Sequence, residues 1–183
     1  RVQRLPHQAM EIFGRLDILV NNAGVAPSGA FLKQDVELWN QVMAVNISAP
    51  MALARAAGLF MTEQGSGKII NIASISGIRG KASLVAYSAS KGAIIQFTKA
   101  LAAEWAKYGI QVNAIAPGAF ETEAQKKVLE SPDLLSKRIA KIPARRIADA
   151  KELDLLVCYL ASQSSNFVSG SVYVIDGGES AKI

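Results

Sequence analysis

The 183 residues are half hydrophobic and 19% charged, which fits one globular domain with a sizeable core and excludes a disordered chain. The net charge of +5 is modest, and the pairs Lys126-Lys127 and Arg145-Arg146 lack interleaved aromatics, so nucleic-acid binding is not expected. One cysteine, Cys158, excludes a disulfide framework within the chain; one histidine, His7, leaves no material for a metal site or a His-based triad, so acid–base chemistry here must use Tyr, Lys, Asp or Glu.

In chain order, "RVQRLPHQAMEIFG" has neither an apolar core segment nor a small-residue cleavage site, so it does not read as a signal peptide. "RLDILVNNAG" (15–24) follows, where the contiguous Ile18, Leu19 and Val20 predict a strand covered on both faces. The segment 35–64 predicts a long helix, with Asp35 as N-cap and Leu38, Val42, Val45 and Leu53 at helical spacing. Its most apolar run, "MALARAAGLFM", is short and holds Arg55, so no membrane span is expected. A second strand lies at 67–74.

A second long helix is predicted at 83–109, with Ser83 as its cap, Ile94, Phe97, Leu101 and Trp105 as its core stripe, and Gly109 as its stop. "IQVNAIAPG" (110–118) is a third strand, ended by Pro117-Gly118. Residues 120–148 are polar, basic and interrupted by proline, as in a mobile loop carrying short helices. A helix at 149–162 places Cys158 in the apolar run "LDLLVCYLA", where a buried core thiol and a reducing, cytoplasmic setting are expected. A fourth strand follows at 171–178. Apolar strands alternating with helices predict a single α/β domain over 1–183 with a parallel sheet.

Ligands bind such sheets beyond the carboxyl ends of the strands. The first three strands end in Asn21 to Gly24, Ser74 to Gly77, and Pro117-Gly118, so their tips are expected to converge on one crevice. Just downstream of the second tip, "AYSASKG" sets Lys91 one helical turn after Tyr87. That spacing alone leaves open a proton-handling pair or two ordinary helix residues, because about a quarter of chains with these Tyr and Lys counts would hold one Tyr-x-x-x-Lys by accident. Three small or polar strand tips gathered around it favour a site.

In order along the chain, "NNAG", "AVNIS" with Asn46, "NIAS" with Ser74, "YSASK", "NAIAPG" and "VIDGG" resemble the short-chain dehydrogenase/reductase family, with Ser74 thirteen residues before Tyr87. The resemblance runs from Arg15 onward. It implies a Rossmann-like, doubly wound sheet, NAD or NADP as cofactor, and hydride transfer to or from a small alcohol or ketone. Members acting on 3-oxoacyl-[acyl-carrier-protein] or gluconate are the nearest in kind.

By the same resemblance Tyr87 is the general acid/base, and Lys91 lowers its pKa and holds the nicotinamide ribose. Ser74 orients the substrate oxygen, and Asn46 holds a proton-relay water. Asn22, Ala23, Gly24, Pro117, Gly118, Phe120 and Thr122 contact the cofactor, with Phe120 where the family usually has Ile. Residues 120–148 become a substrate lid, and the assembly a homotetramer or a homodimer. The family's opening Gly-x-x-x-Gly-x-Gly turn does not occur in these residues. The resemblance therefore implies that the first third of the fold, which reads NAD against NADP, is missing from the sequence. It leaves a second reading, a non-catalytic interaction or scaffold protein of the same fold.

Overall fold

Four parallel strands, β1 (Ile18–Asn21), β2 (Gly67–Ile72), β3 (Ile110–Pro117) and β4 (Val172–Ile175), pair side by side in chain order. They come from a computed structural model that describes residues 2–182, apart from the side chain of Ala124. Arg1 and Ile183, the ends of the expected 1–183 domain, lie outside the described residues.

Every connection crosses over through helix. Helix α1 (Leu5–Phe13) precedes β1. Then α2 (Val36–Met43), a π-helical segment at Ala44–Ser48 and α3 (Ala49–Gln64) run on as one body. Short α4 (Ser76–Arg79) and long α5 (Val85–Trp105) join β2 to β3. Then come α6 (Lys126–Leu129), α7 (Pro132–Ile139) and α8 (Asp154–Ala161) before β4.

The predicted sheet faces explain the core. Ile69 on β2 and Ile110 and Val112 on β3 point at α3 and α5, where they meet Ala54, Ala57, Met61 and Ala102. Their alternates, Ile70 and Ile115, point the other way onto Leu160 of α8. Helices on both faces make the sheet doubly wound, and each fully buried isoleucine contributes roughly 1.5–3 kcal/mol. A polar chain runs through this core. Asn21 Nδ2 donates to Asn71 Oδ1 at 2.8 Å, Asn71 Nδ2 to Thr98 Oγ1 at 2.9 Å, and Thr98 Oγ1 to the Ile94 carbonyl at 2.8 Å. It ties the tips of β1 and β2 to α5 in a fixed register.

Asp35 caps α2 by accepting the Leu38 N–H at 2.7 Å, as its position predicts. Gly109 stops the α5 body in the left-handed conformation, φ 72°, after one 3-10 turn. Three expectations change. Ile18 and Val20 are 41% and 43% exposed, because β1 is an edge strand and the α8 layer covers only its neighbours. Ser83 does not cap α5; it takes φ 64°, and its carbonyl accepts the Gly29 N–H at 2.9 Å. Cys158 is exposed, because Leu153, Leu156, Val157 and Leu160 already fill the sheet-facing side of α8. The 29-residue body 36–64 is long and apolar enough to cross a membrane by length and composition. Here its buried residues pack on β2, β3 and α5.

Residues 120–148 carry the short helices expected of them. Leu129, Leu135 and Ile139 pack on Ala119, Ile142 and Ile147, and a bridge from Phe120 to Ala148 closes the base of the segment.

Candidate active site

The strand tips do converge. Asn22 after β1, Ser74 after β2, and Pro117 and Gly118 at the end of β3 line one cavity of about 560 Å³, together with Tyr87 from the first turn of α5. Phe120 and Thr122 line it from the base of the 120–148 segment. That volume suits a cofactor-sized or substrate-sized ligand. Gly118 is also demanded by packing, since a Cβ there would sit 2.7 Å from that of Asp176.

Lys91 and Asn46 stand behind this wall, 4% and 1% exposed. The Lys91 ammonium donates to the Ile72 carbonyl at 2.6 Å and lies 5.7 Å from the centre of the Tyr87 ring. Gly24 joins them, because a Cβ built on it would be 3.4 Å from both Lys91 Nζ and Asn46 Oδ1. Ala23 is exposed on the same turn and does not line the cavity.

Asn46 lies within the π-helical segment, four residues before Pro50, whose missing N–H takes away the helical donor of the Asn46 carbonyl. Its Oδ1 accepts the Val25 N–H at 2.8 Å, and its Nδ2 donates to the Val25 carbonyl at 2.9 Å and to Ser90 Oγ at 3.0 Å. One amide thus pins the turn after β1 to both long helices. Local π-widening is a known companion of functional sites. Ser90 is a residue the sequence reading passed over. It is fully buried, and its hydroxyl donates to the Tyr87 carbonyl at 2.7 Å while accepting from Asn46. Its place inside "AYSASKG", one residue before Lys91, was the available signal.

Ser74 Oγ accepts the Ser76 N–H at 3.1 Å, so its own proton points to the Tyr87 oxygen and is within the site's reach. Burial raises the Tyr87 phenol, and the hydrogen bond with Ser74 lowers it in part. Burial likewise lowers Lys91 to about 8. The expectation that Lys91 holds the phenol down is therefore not met. Both groups are short of water, and loss of hydration disfavours the charged form of each.

A nicotinamide cofactor fits the donor set. Lys91 has three N–H groups and uses one on Ile72, so two remain for a ribose diol beside Tyr87.

Comparison with known proteins bears on the family and the fold. A family model described as "Enoyl-(Acyl carrier protein) reductase" matches residues 1–180. An uncharacterized oxidoreductase of Thermotoga maritima is 37% identical over 183 residues, covering 98% of this chain and 73% of that protein. The 5-keto-D-gluconate 5-reductase of Escherichia coli K12 is 38% identical over 165 residues, covering 90% of this chain and 65% of that protein. The crystal structure of a gluconate 5-dehydrogenase from Burkholderia cenocepacia, in complex with NADP and tartrate, superposes with a TM-score of 0.95 at 34% identity. It is matched over 100% of this chain and 71% of its own.

Proposed function

The chain belongs to the short-chain dehydrogenase/reductase family, and on that premise we propose that it serves an NAD(P)-dependent oxidoreductase acting on an alcohol or ketone. The observation that carries the reading is the placement of Tyr87 and Ser74 in the strand-tip cavity, with Lys91 directly behind. Gluconate and keto-gluconate chemistry in the similar proteins is consistent with a small polyol or keto acid as substrate.

Lys91, Asn22, Gly24, Pro117, Gly118, Phe120 and Thr122, with Ala23 beside them, would hold the cofactor, and Asn46 would hold their frame. When bound, the nicotinamide supplies or accepts the hydride at the substrate carbon. The chain's own residues handle the oxygen. Ser74 turns its proton from the Tyr87 oxygen to the substrate oxygen and fixes its direction, where preorganised donors stabilise developing charge. Tyr87 gives its phenol proton to the same oxygen in reduction and takes it back in oxidation. A raised phenol pKa keeps that proton in place at neutral pH. The Lys91 ammonium faces the ring when the phenolate forms. Asn46 and Ser90 hold the turn after β1 and the first turns of α5 in one frame.

Residues 120–148 would close over the substrate as a lid. A homotetramer or homodimer and a cytoplasmic setting come with the family reading. The test is titration of the protein with NADH and NADPH, followed by nicotinamide-linked turnover on a panel of ketones. Binding of one cofactor with turnover supports the reading; absence of binding by both sinks it.

A further inference from the structure

The cavity holding Tyr87 has a cationic mouth that proton and hydride transfer do not require. Arg79 ends α4, Lys81 follows on the next turn, and Arg138 and Lys141 come from α7 and the turn after it. All four line the cavity with Glu179, so among the described residues four cations face one carboxylate. Lys182 adds a fifth cation in the adjoining cleft beside Arg79, Lys141 and Glu179.

Glu179 is already committed. Arg138 grips both of its oxygens, at 2.7 and 2.6 Å, and the two side chains are 14% and 19% exposed. Arg79 donates to the Glu179 and Ser180 carbonyls at 2.9 and 3.3 Å. Neither Lys81 nor Lys141 belongs to any of the ion pairs among the described residues. Arg138 Nε is buried without an acceptor.

Lys81 is also held in place. Its N–H donates to Ser88 Oγ at 3.1 Å, and its carbonyl accepts the Leu84 N–H at 3.1 Å. Its pKa is lowered, first by loss of hydration, then by repulsion from Arg138 and Lys141, with Glu179 opposing. Cations gathered from three separate segments repel one another, and a concave mouth concentrates their field on whatever enters.

We propose that this mouth reads an anionic group, a carboxylate or a phosphate, on the small molecule whose oxygen reaches Tyr87, and that Lys81 and Lys141 set this specificity. The proposal rests on the oxidoreductase reading only for the position of the reacting oxygen; the anion preference is a binding property and is measured without turnover.

Calorimetric titration with D-gluconate, D-glucitol and D-glucitol 6-phosphate provides the test, since the three share a carbon chain and differ in charge. The protein is expected to bind one of the anions at least about tenfold more tightly than D-glucitol, with the gap narrowing at high salt. Whichever anion binds more tightly identifies the group as carboxylate or phosphate. The double variant Lys81→Gln/Lys141→Gln is expected to bring the anion within about threefold of D-glucitol, while Lys81→Arg/Lys141→Arg keeps the preference. Equal binding of all three probes, absence of anion binding, or a preference that survives the glutamine variant would overturn the proposal. If no ketone turned over while the preference and its loss in the glutamine variant persisted, the oxidoreductase reading would fail and this one would stand.

Discussion

Replacing Lys91 with methionine should change how stability depends on pH. Burial lowers the Lys91 ammonium from 10.5 to about 8 in the folded protein. Between those values the unfolded chain binds more protons than the folded one, so stability rises with pH across that window. The shift amounts to about 3 kcal/mol that is missing at neutral pH and returns as pH climbs towards the unfolded value. From pH 7 to pH 10 most of it, about 2.5 kcal/mol, should reappear. Lys91→Met has no such group. Other titrations are largely shared, so the wild-type-minus-variant difference isolates Lys91. Urea unfolding of both proteins at intervals from pH 7 to 10 should show that difference growing in favour of wild type by about 2.5 kcal/mol, or about 5–10 °C in Tm. A difference that stays flat, or falls, would show that the ammonium is not desolvated behind Tyr87.

Asn46→Ala removes two part-buried hydrogen bonds to Val25 and a buried one to Ser90, and should cost about 2–4 kcal/mol in urea unfolding, because the Val25 backbone groups lose their partner. Gly77→Ala places a Cβ 2.5–2.7 Å from the backbone of Lys91 and Gly92, which cannot yield cheaply. It should cost about 1–3 kcal/mol and lower turnover by displacing Lys91, measured by thermal melting and steady-state rates. The anion preference should weaken in Lys81→Gln and in Lys141→Gln singly, each by less than in the double variant, by calorimetry.

The sequence disclosed what depends on local pattern. Contiguous apolar runs such as "KIINI" gave the buried strands, and Asp35 and Gly109 marked helix ends through their own backbone and side-chain chemistry. Tyr87 was legible in "YSASK" and Ser74 in its thirteen-residue spacing from it, both through the family resemblance, and the strand tips of the sheet bring the two together. What stayed hidden depends on partners distant in the chain. The bond from the Val25 N–H to Asn46, 21 residues away, is one that no periodicity records. Ser83 looked like a cap, yet it takes a positive φ and its carbonyl accepts the N–H of Gly29 from a distant segment. Cys158 lies in an apolar run wider than the face α8 can bury. The cationic mouth joins Arg79, Lys81, Arg138 and Lys141 with Glu179 from three segments, each unremarkable alone. The raised phenol was also out of reach, because it depends on burial and not on the four-residue spacing to Lys91.

The central claim is that the Tyr87 phenol moves the proton. Its most direct test is nicotinamide-linked turnover by Tyr87→Phe, measured beside cofactor binding by the same sample. The account predicts turnover lost by at least about a hundredfold, the scale of a missing general acid, with cofactor affinity nearly intact. Retention of most wild-type turnover by Tyr87→Phe would contradict it.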